Sequence, residues 1–543
     1  MITKKKLRKL KRDPKAFFLD SRFNLARKIK TQLDINYIAK NLPLVSVKNI
    51  SNKPQFGEQY MLANQVQLLK PISKFDFDYL TEGLNNYGAR AVYIKPYTEG
   101  LKSALCVLNT DKNHFIHCFL SFLYDEGIEL AYKLNGKVKK PKAINEIIED
   151  WNQVRNIDVR LTTDRNIQDQ LGRLWFRLEF CENEADYITF PTANQISRRL
   201  WKHTLEDTNL FKEGVQSYQS ILNHPHEQEH AFDIDLVFTW VNSDDPDWQE
   251  LYKQYKPDFN SDATSVSRFL SRDELKYALR SWEKYGSFIR KVFIVSNCAP
   301  PSWLDLNNSR VEWVYHESIM PESVLPTFSS HAIETSLHKI PGLSQHFIYS
   351  NDDFLLVKPL TKDNFYYSNG IAKLRLEPYG NVNGQPTLGE PDYLNAARNS
   401  NKLLEEEFGR TTTQLHTHSP QSMRKDILEE MNQKYKSDFD RTMANKFRAM
   451  DDIAVTGYFY HHYALLSGNA LQSSDKTELV QQNHDFVKKL NRIIELNQQG
   501  DYNNLPLSVC INDGADSHLN DKWNIAVNKF LEALFPTVSS FEK

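Results

Sequence analysis

Phe232-Asp233-Ile234-Asp235-Leu236-Val237-Phe238-Thr239-Trp240-Val241-Asn242-Ser243-Asp244-Asp245-Pro246 is an apolar run of strand length that breaks into an acidic, polar loop. Ligands of open α/β sheets bind at such carboxyl ends of strands, so Thr239, Trp240, Val241 and Asn242 are candidate ligand contacts. The same grammar returns in His346-Phe347-Ile348-Tyr349-Ser350-Asn351-Asp352-Asp353-Phe354-Leu355-Leu356, where paired carboxylates interrupt a second apolar run. Adjacent aspartates in such a run cost several kcal/mol unless a cation or hydrogen bonds compensate them. That points to a divalent metal, and Mg²⁺ or Mn²⁺ with oxygen ligands points to phosphate chemistry.

Outward from these two segments the pattern alternates between strand and helix. Strand-like stretches at 291–296, 311–315 and 347–349 are separated by segments of crossover length, and a helix is predicted over about 272–285. Its start, Ser271-Arg272-Asp273-Glu274, has the spacing of a capping box. Such alternation predicts a mainly parallel, Rossmann-like α/β sheet. Residues 420–495 read as largely helical, over 423–436, 452–466 and 477–498. Ahead of this domain, Ala91-Val92-Tyr93-Ile94 and Leu105-Cys106-Val107-Leu108 are strand-like and predict a small α+β domain over residues 66–225. The expected organisation is thus a basic segment at 1–30, a linker at 31–65, the accessory domain, and a catalytic domain at 230–543 with a helical insertion around 420–498.

The chain's 543 residues exceed one ordinary domain, and 40% hydrophobic with 25% charged residues is a globular composition. A net charge of -2 argues against nucleic acid as a partner. Five scattered cysteines without CxxC spacing indicate a reducing, cytoplasmic compartment, with neither disulfide framework nor zinc site. No apolar run approaches the length that crosses a bilayer. Charge is nevertheless uneven: residues 1–30 hold twelve Lys or Arg against Asp13 and Asp20, interleaved with Leu7, Leu10, Phe17, Phe18, Phe23 and Leu25. Such a segment suits peripheral attachment to the anionic inner face of the cytoplasmic membrane; a capsule-assembly complex or a plain solvated tail are the alternatives.

Four blocks resemble the Stealth family of hexose-1-phosphate transferases. They are 233–245; Ser271-Arg272-Asp273-Glu274-Leu275 with Leu325-Pro326-Thr327-Phe328-Ser329-Ser330-His331-Ala332-Ile333-Glu334 and Asn351-Asp352-Asp353; His416-Thr417-His418-Ser419-Pro420 with Lys446-Phe447-Arg448-Ala449-Met450-Asp451-Asp452; and Cys510-Ile511-Asn512-Asp513-Gly514. The basic amino end, Phe190-Pro191-Thr192-Ala193-Asn194 and Ser539-Ser540-Phe541-Glu542-Lys543 are most similar to the capsule polymerases that join N-acetylmannosamine-1-phosphate units. The resemblance implies a glycosyltransferase-A-like core and a UDP-N-acetylhexosamine donor. It also implies an oligosaccharide phosphate acceptor chain and release of UMP.

It also implies roles. Asp352, Asp353, Asn512 and Asp513 would hold Mg²⁺, with Asx turns as the plain alternative. His418 would act as general base, its unperturbed pKa lying near the operating pH, and His416 stands beside it as a rival. Arg448 would steady the phosphoryl oxygens unless it merely pairs with Asp451 or Asp452; Arg272 and Arg424 are second candidates. Thr239, Trp240, Val241 and Asn242 would bind donor, although a lone Trp is often core and Asp244 and Asp245 read as a solvated loop. Ser329, Ser330 and His331, with Glu334, begin an expected helix where either serine would cap and the amides would hold phosphate or sugar; no G-x-S-x-G elbow frames a serine nucleophile. Rival functions are a glycosyltransferase that releases UDP and a non-catalytic capsule scaffold. Deleting residues 1–30 is expected to release the protein from anionic vesicles, with wild-type attachment weakening as salt rises, while transfer to a soluble primer is retained. Co-sedimentation and a transfer assay check this; loss of transfer in a folded truncation would place the segment in the catalytic machinery.

Overall fold

The computed structural model describes residues 72, 75–97, 101–165, 172–206, 208–222, 224–256, 273–512 and 520–543. Met1 to Lys30, Arg272 and Asp513 lie outside them. The chain forms two units, Met1–Glu229 and His230–Lys543. In the first, a nine-stranded sheet carries helices Phe77–Asn86, Lys112–Asp125 and Ile144–Trp151. Alternation along Ala104–Leu108 sends Leu105 and Val107 into one apolar core and Ala104 and Cys106 into another, so the strand is buried on both faces. All five cysteines are buried and none is in a disulfide. Among the described residues no helix is long and apolar enough to cross a membrane.

The strands that build the second unit's site are β1 (Ile234–Thr239), β2 (Val292–Val295), β3 (Val311–Val314), β4 (His346–Ser350), β5 (Phe354–Leu356), β6 (Leu376–Gly380), β7 (Gln414–His416), β8 (Gln421–Arg424), β9 (Glu478–Val480) and β10 (Ser508–Ile511). Its central sheet has the order β3-β2-β1-β4-β8. The first four strands are parallel and β8 closes the edge antiparallel to β4. This is the Rossmann strand order, and its direction of winding reverses between β1 and β4. Every residue of β1 but Thr239 is buried, as expected for a strand covered on both faces. Its internal charge is compensated: Asp235 accepts from Arg290 Nε (2.9 Å) and Nη2 (2.6 Å) and from the Ser344 amide (2.7 Å) at the amino end of the strand, away from the site.

Three helical expectations change. Helix α2 (Glu274–Tyr285), which follows α1 (Pro246–Tyr255), starts at Glu274 itself; Asp273 precedes it in the left-handed region (φ 62°) and makes no side-chain capping hydrogen bond, while Ser271 of the expected capping box lies outside the described residues. Asp tolerates that conformation better than most residues, which moves the start downstream. Residues 421–424 and 478–480 are strands, because edge pairing, Tyr349 with Gln421 and Val480 with Ile511, overrides local propensity. Between them run helices Lys425–Lys434, Lys436–Ala444 and Tyr460–Leu466, the last entered through a π-helical turn at Val455–Phe459.

Helix α2 is pinned twice. Arg280 makes a bidentate ion pair with Glu542, 2.7 Å on each arm, in which both side chains are nearly buried. Ser281 Oγ accepts the Leu356 amide at 3.1 Å, which ties β5 to the helix. The chain's closing residues therefore help to hold the carboxylates on either side of these contacts.

Candidate active site

A cavity of about 890 Å³ opens at the carboxyl ends of β1 and β4, where the sheet order reverses. That volume accommodates a nucleotide sugar. Thr239, Trp240 and Val241 line it from β1, and Tyr349, Asn351, Asp352 and Asp353 from β4. Thr239 Oγ1 and the Tyr349 hydroxyl lie 2.8 Å apart and bridge the two strands. Trp240 is both core and wall: it packs edge-on against Trp313 at 5.5 Å while facing the cavity.

Asp352 and Asp353 keep some exposure, to the cavity they line, but sit deep in the fold. Burial, then the charges of Glu274 and Asp353, push the Asp352 carboxyl well above the usual range. Burial, partly offset by a hydrogen bond from Cys510, raises Asp353 to about 6. That bond runs from Cys510 Sγ to Asp353 Oδ2 at 3.2 Å, whereas Asp353 Oδ1 is buried with no hydrogen-bond partner among the described residues. β5 pairs with β10, and the Ile511 amide donates to the Asp353 carbonyl at 3.1 Å, so Asn512 is delivered beside the aspartates. Among the described residues no three His, Cys, Asp or Glu side chains are grouped closely enough to hold an ion alone. An orphaned carboxylate oxygen with a second Asp, a Glu and an Asn nearby nevertheless fits Mg²⁺, which takes one or two protein carboxylates and completes its shell with phosphate and water.

β6 and β7 run antiparallel, with Leu376 opposite His416, which brings Glu377 to the imidazole side of the cavity. His418 is exposed to it, with Glu377 Oε1 3.7 Å from Nδ1, within ion-pair range. His416 also lines the wall but is buried; its Nδ1 lies 2.7 Å from the Thr417 carbonyl and its ring stacks on His461 at 4.1 Å. Burial lowers the His416 pKa to about 3, so it stays neutral and makes a poor proton acceptor at neutral pH. Position favours His418, and the low basicity of His416 argues against that imidazole.

The alternative pairing of Arg448 with Asp451 or Asp452 is not formed among the described residues. Asp452, fully buried, takes His331 Nδ1 at 2.9 Å, the Ala449 amide at 2.9 Å and Asn445 Nδ2 at 2.7 Å. This clamp ties α3 (Ser330–Glu334) to the loop that carries Arg448. Among the described residues the Arg448 guanidinium makes one hydrogen bond, to Ser330 Oγ at 2.7 Å, and it faces the cavity. Its remaining donors suit an anion.

Other expectations are corrected. Asn242 is not part of the wall: its Oδ1 accepts the Asp244 amide (3.0 Å) and its own amide meets Cys298 Sγ (3.3 Å), so it shapes the loop. Asp245 is no solvated loop residue but the buried N-cap of α1, accepting from Asp247 and Trp248. Ser329 stands at the N-cap of α3 as expected, but its side chain makes no capping hydrogen bond and it is fully buried behind the wall. Arg424 is engaged by Asp426 at 2.5 Å, outside the cavity. Sequence reasoning missed Glu274, Glu377 and Thr456 as wall residues and gave Glu334 no chemical role, although it lines the cavity too, its Oε2 accepting the Thr456 amide at 3.3 Å.

Conserved regions 1, 2 and 3 of the Stealth proteins match residues 232–259, 268–374 and 417–465. Capsular polysaccharide phosphotransferase SacB of Neisseria meningitidis serogroup A is 62% identical over 544 residues, covering 100% of both chains. The chain belongs to the Stealth family. Exopolysaccharide phosphotransferase CpsY of Mycobacterium tuberculosis is 33% identical over 376 residues, 67% of this chain and 69% of that one. The chain is an enzyme of this phosphotransferase class. Among solved structures, the galactosyltransferase LgtC shares 9% identity at a TM-score of 0.29, covering 56% of this chain and 98% of that one. The glycosyltransferase GlyE of Streptococcus pneumoniae TIGR4 shares 9% at 0.25, covering 57% and 66%. At such scores the fold assignment rests on strand order rather than on these neighbours. In this Stealth protein, His418→Ala is expected to lower kcat by about 10²–10⁴-fold with little change in donor KM. His416→Ala is expected to cost far less; steady-state kinetics with the reverse order would make His416 the base.

Proposed function

We propose that this capsular polysaccharide phosphotransferase transfers an N-acetylhexosamine-1-phosphate, N-acetylmannosamine-1-phosphate by analogy with the family branch it most resembles, from a UDP-sugar to a hydroxyl of a growing chain. The observation that carries the reading is the convergence of an imidazole, an arginine and a pair of enclosed aspartates on one cavity at the switch point of the sheet. An acid–base group, an anion clamp and a cation site are what attack on phosphorus requires.

Thr239, Trp240 and Val241 hold the nucleotide end against β1. His418 Nε2 takes the proton of the acceptor hydroxyl as it attacks the β-phosphorus, while Glu377 favours the imidazolium that forms. Arg448, oriented by Ser330, stabilises charge on the non-bridging oxygens. Asp353 and Asn512, with Asp352 and Glu274 close by, would hold Mg²⁺ or Mn²⁺, which when bound neutralises the diphosphate and the departing UMP. The new bond is oxygen to phosphorus and the broken bond joins the two phosphates, so the sugar keeps its anomeric oxygen. The basic segment at 1–30 attaches the enzyme to anionic membrane where the chain is extended.

Incubation with UDP-N-acetylhexosamines and a short primer is expected to release UMP and lengthen the primer by phosphodiester-linked units, as read by nucleotide chromatography and ³¹P NMR. UDP as the product would instead establish attack at the anomeric carbon and a conventional glycosyltransferase.

A further inference from the structure

Glycine is retained where positive φ or a close neighbour demands it. In the second unit, Gly342, Gly370, Gly384, Gly389, Gly409, Gly468 and Gly500 have positive φ. Gly286 and Gly380 have no room for a Cβ, which would lie 2.5 Å from Trp282 and 2.8 Å from Thr413. Gly457 has neither reason. Its φ is ordinary, and a Cβ built on it meets no heavy atom within 4 Å. It stands in the π-helical turn Val455–Phe459, where glycine is the least favourable choice after proline. π-turns recur at functional sites.

Burial shows what it faces. From Asp452 to Ala464 every residue is buried except Gly457, and Gly457 lines the cavity. Its neighbours there are functional. The Thr456 amide holds Glu334, and His461, one helical turn on, stacks on His416. The open space over Gly457 therefore belongs to the same cavity that Glu334, His416 and His418 line.

Since neither the backbone nor the packing of the protein asks for glycine, we infer that Gly457 is a specificity-determining position, kept bare so that a hexosamine ring can lie against the backbone. This deepens the proposed function and rests on it. The ring belongs either to the donor or to the terminal sugar of the acceptor, and kinetics separate the two. A Cβ at 457 meets no protein atom, so alanine there alters recognition and not folding.

The test is the series Gly457→Ala, Gly457→Val and Gly457→Leu in the full chain, with kcat, donor KM, primer KM and melting temperature measured for each. Expected is a fall in kcat/KM of about 10-fold for alanine and about 100-fold or more for leucine, the usual range for a misfitted methylene or more in a pocket. The alanine variant is expected to melt no lower than wild type. A rise confined to donor KM assigns the ring to the UDP-sugar, and one confined to primer KM assigns it to the acceptor. Leucine at wild-type kcat/KM for both substrates would overturn the inference. Should the leucine variant not fold, unchanged kcat/KM in the alanine variant would overturn it equally. Wild-type protein that releases no UMP from any UDP-N-acetylhexosamine would instead defeat the functional reading beneath it.

Discussion

Two adjacent carboxylates held deep in the fold, Asp352 and Asp353, set the terms for the rest of the catalytic unit. Their pKa values are raised because the protein solvates the charged forms poorly, and Asp353 Oδ1 has no hydrogen-bond partner among the described residues. A fold bears such a cost when the charges are needed elsewhere, here for a cation and a diphosphate. The surroundings are arranged to keep the pair there. β5 leaves Asp353 and is fixed by β10 on one side and by Ser281 of α2 on the other, while Arg280 and Glu542 lock α2 from behind.

The reacting groups come from segments far apart in the chain, and each is placed by a neighbour that does no chemistry. Asp452 places Arg448 by holding His331 and the Ala449 amide, so the carboxylate that looked like the arginine's partner is its support. Antiparallel pairing of β6 with β7 brings Glu377 within ion-pair range of His418. The site is thus negative on its aspartate side and carries the Arg448 charge on its α3 side. A diphosphate neutralised by a cation fits that division, with the attacked phosphorus at the boundary.

The apolar runs made β1 to β4 legible to within about two residues, since strands covered on both faces must be continuously apolar. The aspartates were legible because carboxylates ending such runs are rare. Glu274, Glu334 and Glu377 were not read as wall residues, because an acidic residue near a helix start or on a short strand is ordinary. Only the packing shows that all three face the cavity. Asn242 and Ser329 were misread for the opposite reason. They stand beside wall residues, but a tight loop turns Asn242 onto its own backbone, and burial turns Ser329 away. The strands at 421–424 and 478–480 owe their form to distant partners that no local window contains.

The central claim, that the aspartates are destabilising in the bare protein and are compensated by a divalent cation, is tested most directly by melting wild type and Asp353→Asn at pH 8, with chelator and with Mg²⁺. Asp353 has a folded-state pKa of about 6, above its ordinary value of 3.8. The bare fold therefore loses stability as pH rises from about 4 to about 6, and the deficit persists at pH 8. The asparagine variant is expected to melt higher than wild type in chelator, and Mg²⁺ is expected to raise wild type by mass action while leaving the variant nearly unmoved. A wild type that melts above the variant in chelator, with both responding equally to Mg²⁺, would contradict the account.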